Sequence, residues 1–165
     1  MTFTSNEQIK YIFEGLVART LPKPDWTHAA HFAAAIAILS DKNYDAFKDM
    51  PGLIQSYNEA TGVPNTDIEG YHHTITMVSL GAAQNVLTRA ERGRALYQIV
   101  NDVLASDYGQ SIWLLAYWTQ ECLFSSKARK VWVEPDIKAL PFEVSYEELA
   151  RNVLITDVSL ENVRP

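Results

Sequence analysis

Apolar residues recur at helical spacing along most of the chain. From Ile9 to Val17 they fall at offsets 0, 3, 4, 7 and 8, which places them on one face of a helix. Similar patterns, bounded by capping residues and prolines, predict further helices at about 25–39, 41–61, 70–90 and 91–104. No segment shows the apolar–polar alternation of a strand. The sequence therefore predicts an all-α, single-domain helical bundle of about six to seven helices.

Breakers and short segments refine this outline. Met50-Pro51-Gly52 should break or kink the third helix, because proline lacks a backbone donor. Residues 70–90 are apolar on most sides, so this segment is predicted to be the central helix. A short apolar segment at 112–118, a short helix at 126–133 and a last helix at 145–155 complete the expected elements. The stretch 119–144 is expected to be rich in loops.

Composition limits the class of protein. The 165 residues, 47% of them apolar, suit one domain spanning residues 1–165. The net charge of −6 disfavours a nucleic-acid partner, and the single cysteine excludes an internal disulfide. The longest apolar stretch, at 29–39, is shorter than the roughly 20 residues that span a bilayer. We expect a cytoplasmic protein with no membrane partner.

The four histidines provide the strongest chemical signal. His28 and His31 lie three residues apart, so on a helix both can face one point, whereas His72 and His73 are neighbours that should diverge. We expect one of the second group, His72, to join the first pair as a catalytic trio. Asp25 and Glu69 extend both patterns at steps of three, but each is explained more simply as a helix-capping residue.

Two kinds of chemistry remain open for this trio. Three histidines are the minimum for a zinc or iron site with an open position, so one divalent metal on His28, His31 and His72 is one option. Metal-free proton transfer by the same rings is the other, because imidazole titrates near neutral pH. The sequence has no phosphate-binding loop or dinucleotide fingerprint, so no nucleotide cofactor is expected.

Other side chains are candidates for the wall of a substrate pocket. The flat apolar candidates are Trp26, Tyr71, Tyr117 and Trp118. Asn58 is a candidate hydrogen-bonding group, Arg129 a candidate partner for a substrate carboxylate, and His73 a further substrate-binding residue. Each has a structural alternative: core packing for the aromatic residues and for His73, helix capping for Asn58, and an ion pair for Arg129.

Separated motifs resemble an uncharacterised family of small bacterial all-helical proteins. The similarity lies in Trp26-Thr27-His28-Ala29-Ala30-His31, in Gly70-Tyr71-His72 with the following Thr74-Ile75-Thr76, and in matching segments around 57–66 and 123–141. The resemblance implies a helical fold and no particular reaction. The chain departs from the family pattern at His73, where the family has a glutamate, and at Trp118-Thr119-Gln120, where an arginine is missing.

These patterns predict a small-molecule enzyme with a histidine-cluster active site in an apolar pocket between helices. It would act by proton transfer in an isomerisation, cyclisation or dehydration, or through a histidine-bound metal. The alternative is a non-catalytic metal- or ligand-binding or sensing module. A purely structural role for the histidines is a third hypothesis. The oligomeric state is left open, with a homodimer as one option.

Overall fold

The computed structural model describes residues 2–144. Within them the chain forms helices and no strand, which confirms the all-α prediction. The α-helices are α1 (Asn6–Ala18), α2 (His28–Ser40), α3 (Ala46–Ala60), α4 (His73–Arg89), α5 (Leu96–Ala105), α6 (Gln120–Leu123) and α7 (Ser126–Lys130). Short 3-10 turns lie at Lys23–Asp25, Asp107–Gly109 and Trp113–Ala116. The helix expected at 145–155 lies outside the described residues.

Two helices, α2 and α4, share the centre of the bundle. Helix α2 packs against α1, α3, α4 and α5, and α4 packs against α2, α3, α5 and α7. The expectation of α4 as the one central helix is corrected accordingly. Nearly all of α2 from Ala30 to Ile38 is buried, with His31 as the exception. The small alanine side chains let neighbouring helices approach α2 closely.

Helices α2 and α3 each begin after a side-chain cap. Thr27, and not the expected Asp25, caps α2 by accepting the N–H of Ala30, because Asp25 ends the 3-10 turn before the helix. Helix α3 begins later than expected, after the cap Asp45, because the carboxylate of Asp41 accepts the N–H of Asn43 in a turn. The expected break at Pro51 does not occur, since α3 continues to Ala60.

The start of α4 is also later than predicted, because the segment before it is a tight turn. Thr66 Oγ1 accepts the N–H groups of Ile68 and Glu69, so this expected helix cap closes a turn instead. Gly70 has φ 79°, and a Cβ there would lie 2.2 Å from the carbonyl oxygen of Pro64. Only glycine fits this position without strain.

The later part of the chain is as loop-rich as predicted. Helix α5 begins at Leu96, after a turn with Gly93 at φ 79°, rather than at residue 91. The apolar segment at 112–118 contains a 3-10 turn, and the stretch 119–144 contains only the short helices α6 and α7. None of the described helices combines the length and hydropathy needed to cross a bilayer.

Candidate functional site

An apolar cavity of about 340 Å³ lies between α2, α3, α4 and the segment 111–115. Most of its wall is aliphatic or aromatic, with Trp26, Phe32 and Trp113 as the large rings. No Asp, Glu, Lys or Arg is among the described residues that line it. Its polar lining residues are His28, His31, Thr76, Ser79 and Ser111. Small-molecule sites in proteins have this size and this mixture of apolar wall and few polar groups.

His31 is the best-placed chemical group in this cavity. Its Nδ1 lies 2.7 Å from the carbonyl oxygen of Thr27, so Nδ1–H donates and the ring is fixed in one orientation. The Nε2 atom is then an acceptor, and no atom in the described part of the chain hydrogen-bonds to it. Trp26 lies against the ring, with the centroids 4.0 Å apart.

The surroundings keep the His31 ring neutral. Burial lowers its pKa to about 4, with a smaller lowering from the nearby His28, while the carbonyl of Thr27 opposes the shift. The residue is nevertheless solvent-accessible, because it opens onto the cavity. At neutral pH the site therefore presents an uncharged acceptor to any molecule that enters.

His28 is oriented in the same way. Its Nε2 lies 2.8 Å from the carbonyl oxygen of Tyr108, so Nε2–H donates and Nδ1 is left as the acceptor. The ring also packs edge-on against Phe32. His28 thus joins the start of α2 to the turn after α5, and the pairing of His28 with His31 on one wall is as expected.

His72 does not line the cavity. It is the N-cap of α4, where its Nδ1 accepts the N–H of Ile75. Its Nε2–H donates to the carbonyl oxygen of Leu123, at 2.8 Å. With both ring nitrogens engaged, His72 has no atom to offer a metal or a substrate.

The predicted three-histidine metal site is therefore not assembled. Among residues 2–144 no three His, Cys, Asp or Glu side chains are grouped so as to hold a metal ion together. The reason is local: the chain uses His72 to begin a helix, and its two ring nitrogens bond the backbone of Ile75 and Leu123.

His73 is buried in a second environment, away from the cavity. Its Nδ1 lies 2.9 Å from the hydroxyl of Tyr71, while its Nε2 has no partner within the described residues. Burial lowers the pKa of His73 to about 4 and raises that of Tyr71. This pair is a neutral, buried contact at the start of α4, and neither residue is among those lining the cavity.

The other predicted substrate residues have structural contacts. Asn58 donates to the side chain of Asn65. Trp118 is fully buried and donates to the carbonyl of Val133, and Tyr117 lies beneath Lys138. Arg129 donates to the carbonyls of Gly70 and Tyr71, so it fixes the turn before α4. None of these four lines the cavity, whereas Trp26 does.

Several lining residues were not expected from the sequence. Ser79 is the clearest, since it is a half-buried hydroxyl on the inner part of α4. A single polar residue within the otherwise apolar run 77–83 was a usable signal for it. Ile112 and Phe124 line the cavity and are both more than half exposed, which places apolar side chains at its mouth. No sequence pattern indicates that position.

The arrangement has a definite chemical capacity. It can hold an uncharged apolar molecule and accept a hydrogen bond or a proton from it at Nε2 of His31. Comparisons of the chain with models of protein families, with curated proteins and with solved structures give no match.

Proposed function

We propose that this protein is a small-molecule enzyme that binds an apolar substrate in the cavity and moves a proton on it through His31. The single observation that carries the proposal is the free Nε2 of an oriented imidazole in an apolar cavity. The substrate would lose a proton to Nε2 and regain one at another atom. An isomerisation needs only this exchange.

The backbone contact of His31 supports a catalytic role for the ring. When Nε2 takes a proton, Nδ1–H remains bound to the carbonyl of Thr27, and that carbonyl dipole stabilises the cation. The apolar surroundings disfavour the same cation, so the proton returns readily to the substrate. The two effects together favour a short-lived imidazolium.

A binding module without turnover is the second candidate. The low pKa of His31, about 4, favours it, because such a ring is a weak base but a good hydrogen-bond acceptor. The two candidates share the ligand contact at Nε2 and differ in whether a proton is transferred.

Hydrogen exchange on a bicyclic ketone separates them. Purified protein is incubated with 2-tetralone in D₂O, and loss of the signal from the protons beside the carbonyl is followed by NMR. We expect exchange faster than in buffer for the wild type, and exchange at the buffer rate for His31→Phe. The catalysed part of the rate should fall as the pH drops through about 4, where Nε2 becomes protonated.

The controls use other parts of the molecule. Thr88→Ala removes an exposed hydroxyl from α4 outside the cavity lining and should exchange as the wild type does. Circular dichroism verifies that His31→Phe is folded. Ketone binding by the wild type without faster exchange would refute the enzyme and leave the binding module.

A further inference from the structure

We propose that the ligand of this cavity is an uncharged molecule of about two fused rings that donates a hydrogen bond to Nε2 of His31. This inference rests on the binding part of the proposed function and adds the chemical class of the ligand. Three features of the cavity carry it: volume, absence of charge in the lining, and the type of polar atom presented.

The volume sets the size of the ligand. An engineered apolar cavity of about 150 Å³ holds one benzene molecule. The present cavity, at about 340 Å³, has roughly twice that volume. Two fused six-membered rings, or an aliphatic body of the same bulk, therefore match it. The flat rings of Trp26 and Trp113 in the wall favour a flat ligand.

The lining sets the charge. None of the described residues that line the cavity is an Asp, Glu, Lys or Arg, and moving an ion from water into such surroundings is strongly unfavourable. Arg129, the cation expected to hold a carboxylate, is instead bound to the carbonyls of Gly70 and Tyr71. A carboxylate, phosphate or ammonium group on the ligand would meet no opposite charge among the described lining residues.

The histidines set the polarity of the ligand. Each of His28 and His31 uses one ring N–H on a backbone carbonyl, so each presents its other nitrogen as an acceptor. Neither can donate to the ligand while neutral. A ligand that hydrogen-bonds to these rings must therefore bring the donor, as a hydroxyl or an N–H group.

A matched series of naphthalenes tests the inference on the wild-type protein. 2-Naphthol carries a donor, 2-methoxynaphthalene has the same rings without a donor, and 2-naphthoate carries a charge at pH 7. Isothermal titration calorimetry should give 2-naphthol an affinity about tenfold above that of 2-methoxynaphthalene, the gain from one hydrogen bond to the His31 acceptor. 2-Naphthoate should bind at least about a hundredfold more weakly than 2-naphthol.

The variant His31→Phe keeps a ring beside Trp26 and removes the acceptor. It should bind 2-methoxynaphthalene as the wild type does and lose the preference for 2-naphthol. If this variant does not fold, the ligand comparison on the wild type decides the inference without it.

The opposing results are equally clear. Equal affinities for 2-naphthol and 2-methoxynaphthalene in the wild type would contradict the claim that the ligand donates a hydrogen bond to His31. Tight binding of 2-naphthoate would contradict the claim that the ligand is uncharged. If none of the three compounds binds, the inference as a whole is overturned. Proton transfer is measured separately, by hydrogen exchange on 2-tetralone. The proposed enzymatic activity and the proposed ligand class can therefore fail independently of each other.

Discussion

Each imidazole in this protein is held by a hydrogen bond to a neighbouring group. His28, His31 and His72 donate to backbone carbonyls, and His73 contacts the Tyr71 hydroxyl. The pairing of His28 with His31 was predictable, because it depends only on the geometry of one helix turn. The partner of His72 was not, since the carbonyl of Leu123 comes from a distant part of the chain. Local spacing cannot specify such a contact.

At this scale, His73 should make the protein sensitive to acid. Its pKa is lowered to about 4 in the folded state from 6.5, so the unfolded chain binds a proton that the folded chain excludes. Its contribution to stability is complete above about pH 6.5 and is lost as the pH falls towards 4. Between pH 7 and 5 this amounts to about 2 kcal/mol.

Urea unfolding at both pH values, on the wild type and on His73→Phe, measures this effect. The variant should lose about 2 kcal/mol less than the wild type does between pH 7 and 5. His31 and His72 leave some acid dependence in both proteins, because burial lowers their pKa values too. The same pH dependence in both proteins would show that His73 does not contribute. Because only the change in unfolding free energy between the two pH values is compared, any pH-independent loss of stability from the freed Tyr71 hydroxyl cancels.

At the level of elements, the boundaries depended on turn chemistry that periodicity does not contain. The apolar spacing located α1, α2 and α4, because a buried face is visible over several turns. The starts of α3 and α5 were placed too early. Asp41 and Gly93 each stabilise a turn before the helix, although nearby residues resemble capping signals. The start of α4 also depends on a residue type, histidine, that rarely serves as a cap.

The cap of α4 gives the prediction at this scale. His72→Ala removes both the N-cap bond and the partner of the Leu123 carbonyl, and should reduce the free energy of unfolding by about 2–4 kcal/mol. His72→Asn retains a good capping side chain that is too short to reach Leu123. It should recover about 1 kcal/mol of that loss.

Urea unfolding at pH 7 gives both values. If Asn and Ala are equally destabilising, the cap does not contribute and the bond to Leu123 accounts for the whole effect. If the Asn variant is as stable as the wild type, the bond to Leu123 does not contribute to the free energy of unfolding.

For the whole molecule, the alanine-rich helix α2 determines how closely the helices approach. Ala34 is fully buried on α2, whereas Ala18 is exposed at the end of α1. Ala34→Leu should overpack the centre and cost about 1–3 kcal/mol of unfolding free energy. Ala18→Leu, the same change on the surface, should stay within about 0.5 kcal/mol. Thermal and urea unfolding compare the two, and equal effects would contradict a tightly packed α2.

The cavity itself is a property of this whole-molecule packing. Its walls come from α2, α3 and α4, from the segment 111–115 and from Leu123 and Phe124 at the end of α6, so it could not be predicted from any one motif. The sequence predicted an apolar pocket between helices and named three of its lining residues, Trp26, His28 and His31. Of the other candidates, His72 and Arg129 fix the start of α4 and the turn before it, whereas Trp118 packs in the core.

The contact between Trp26 and His31 has one more consequence. An indole stacked on an imidazole emits strongly while the imidazole is neutral and is quenched when it gains a charge. Because the two ring centroids are only 4.0 Å apart, the fluorescence of Trp26 should follow the protonation of His31 directly. The protein thus carries an intrinsic fluorescent probe in the lining of its cavity.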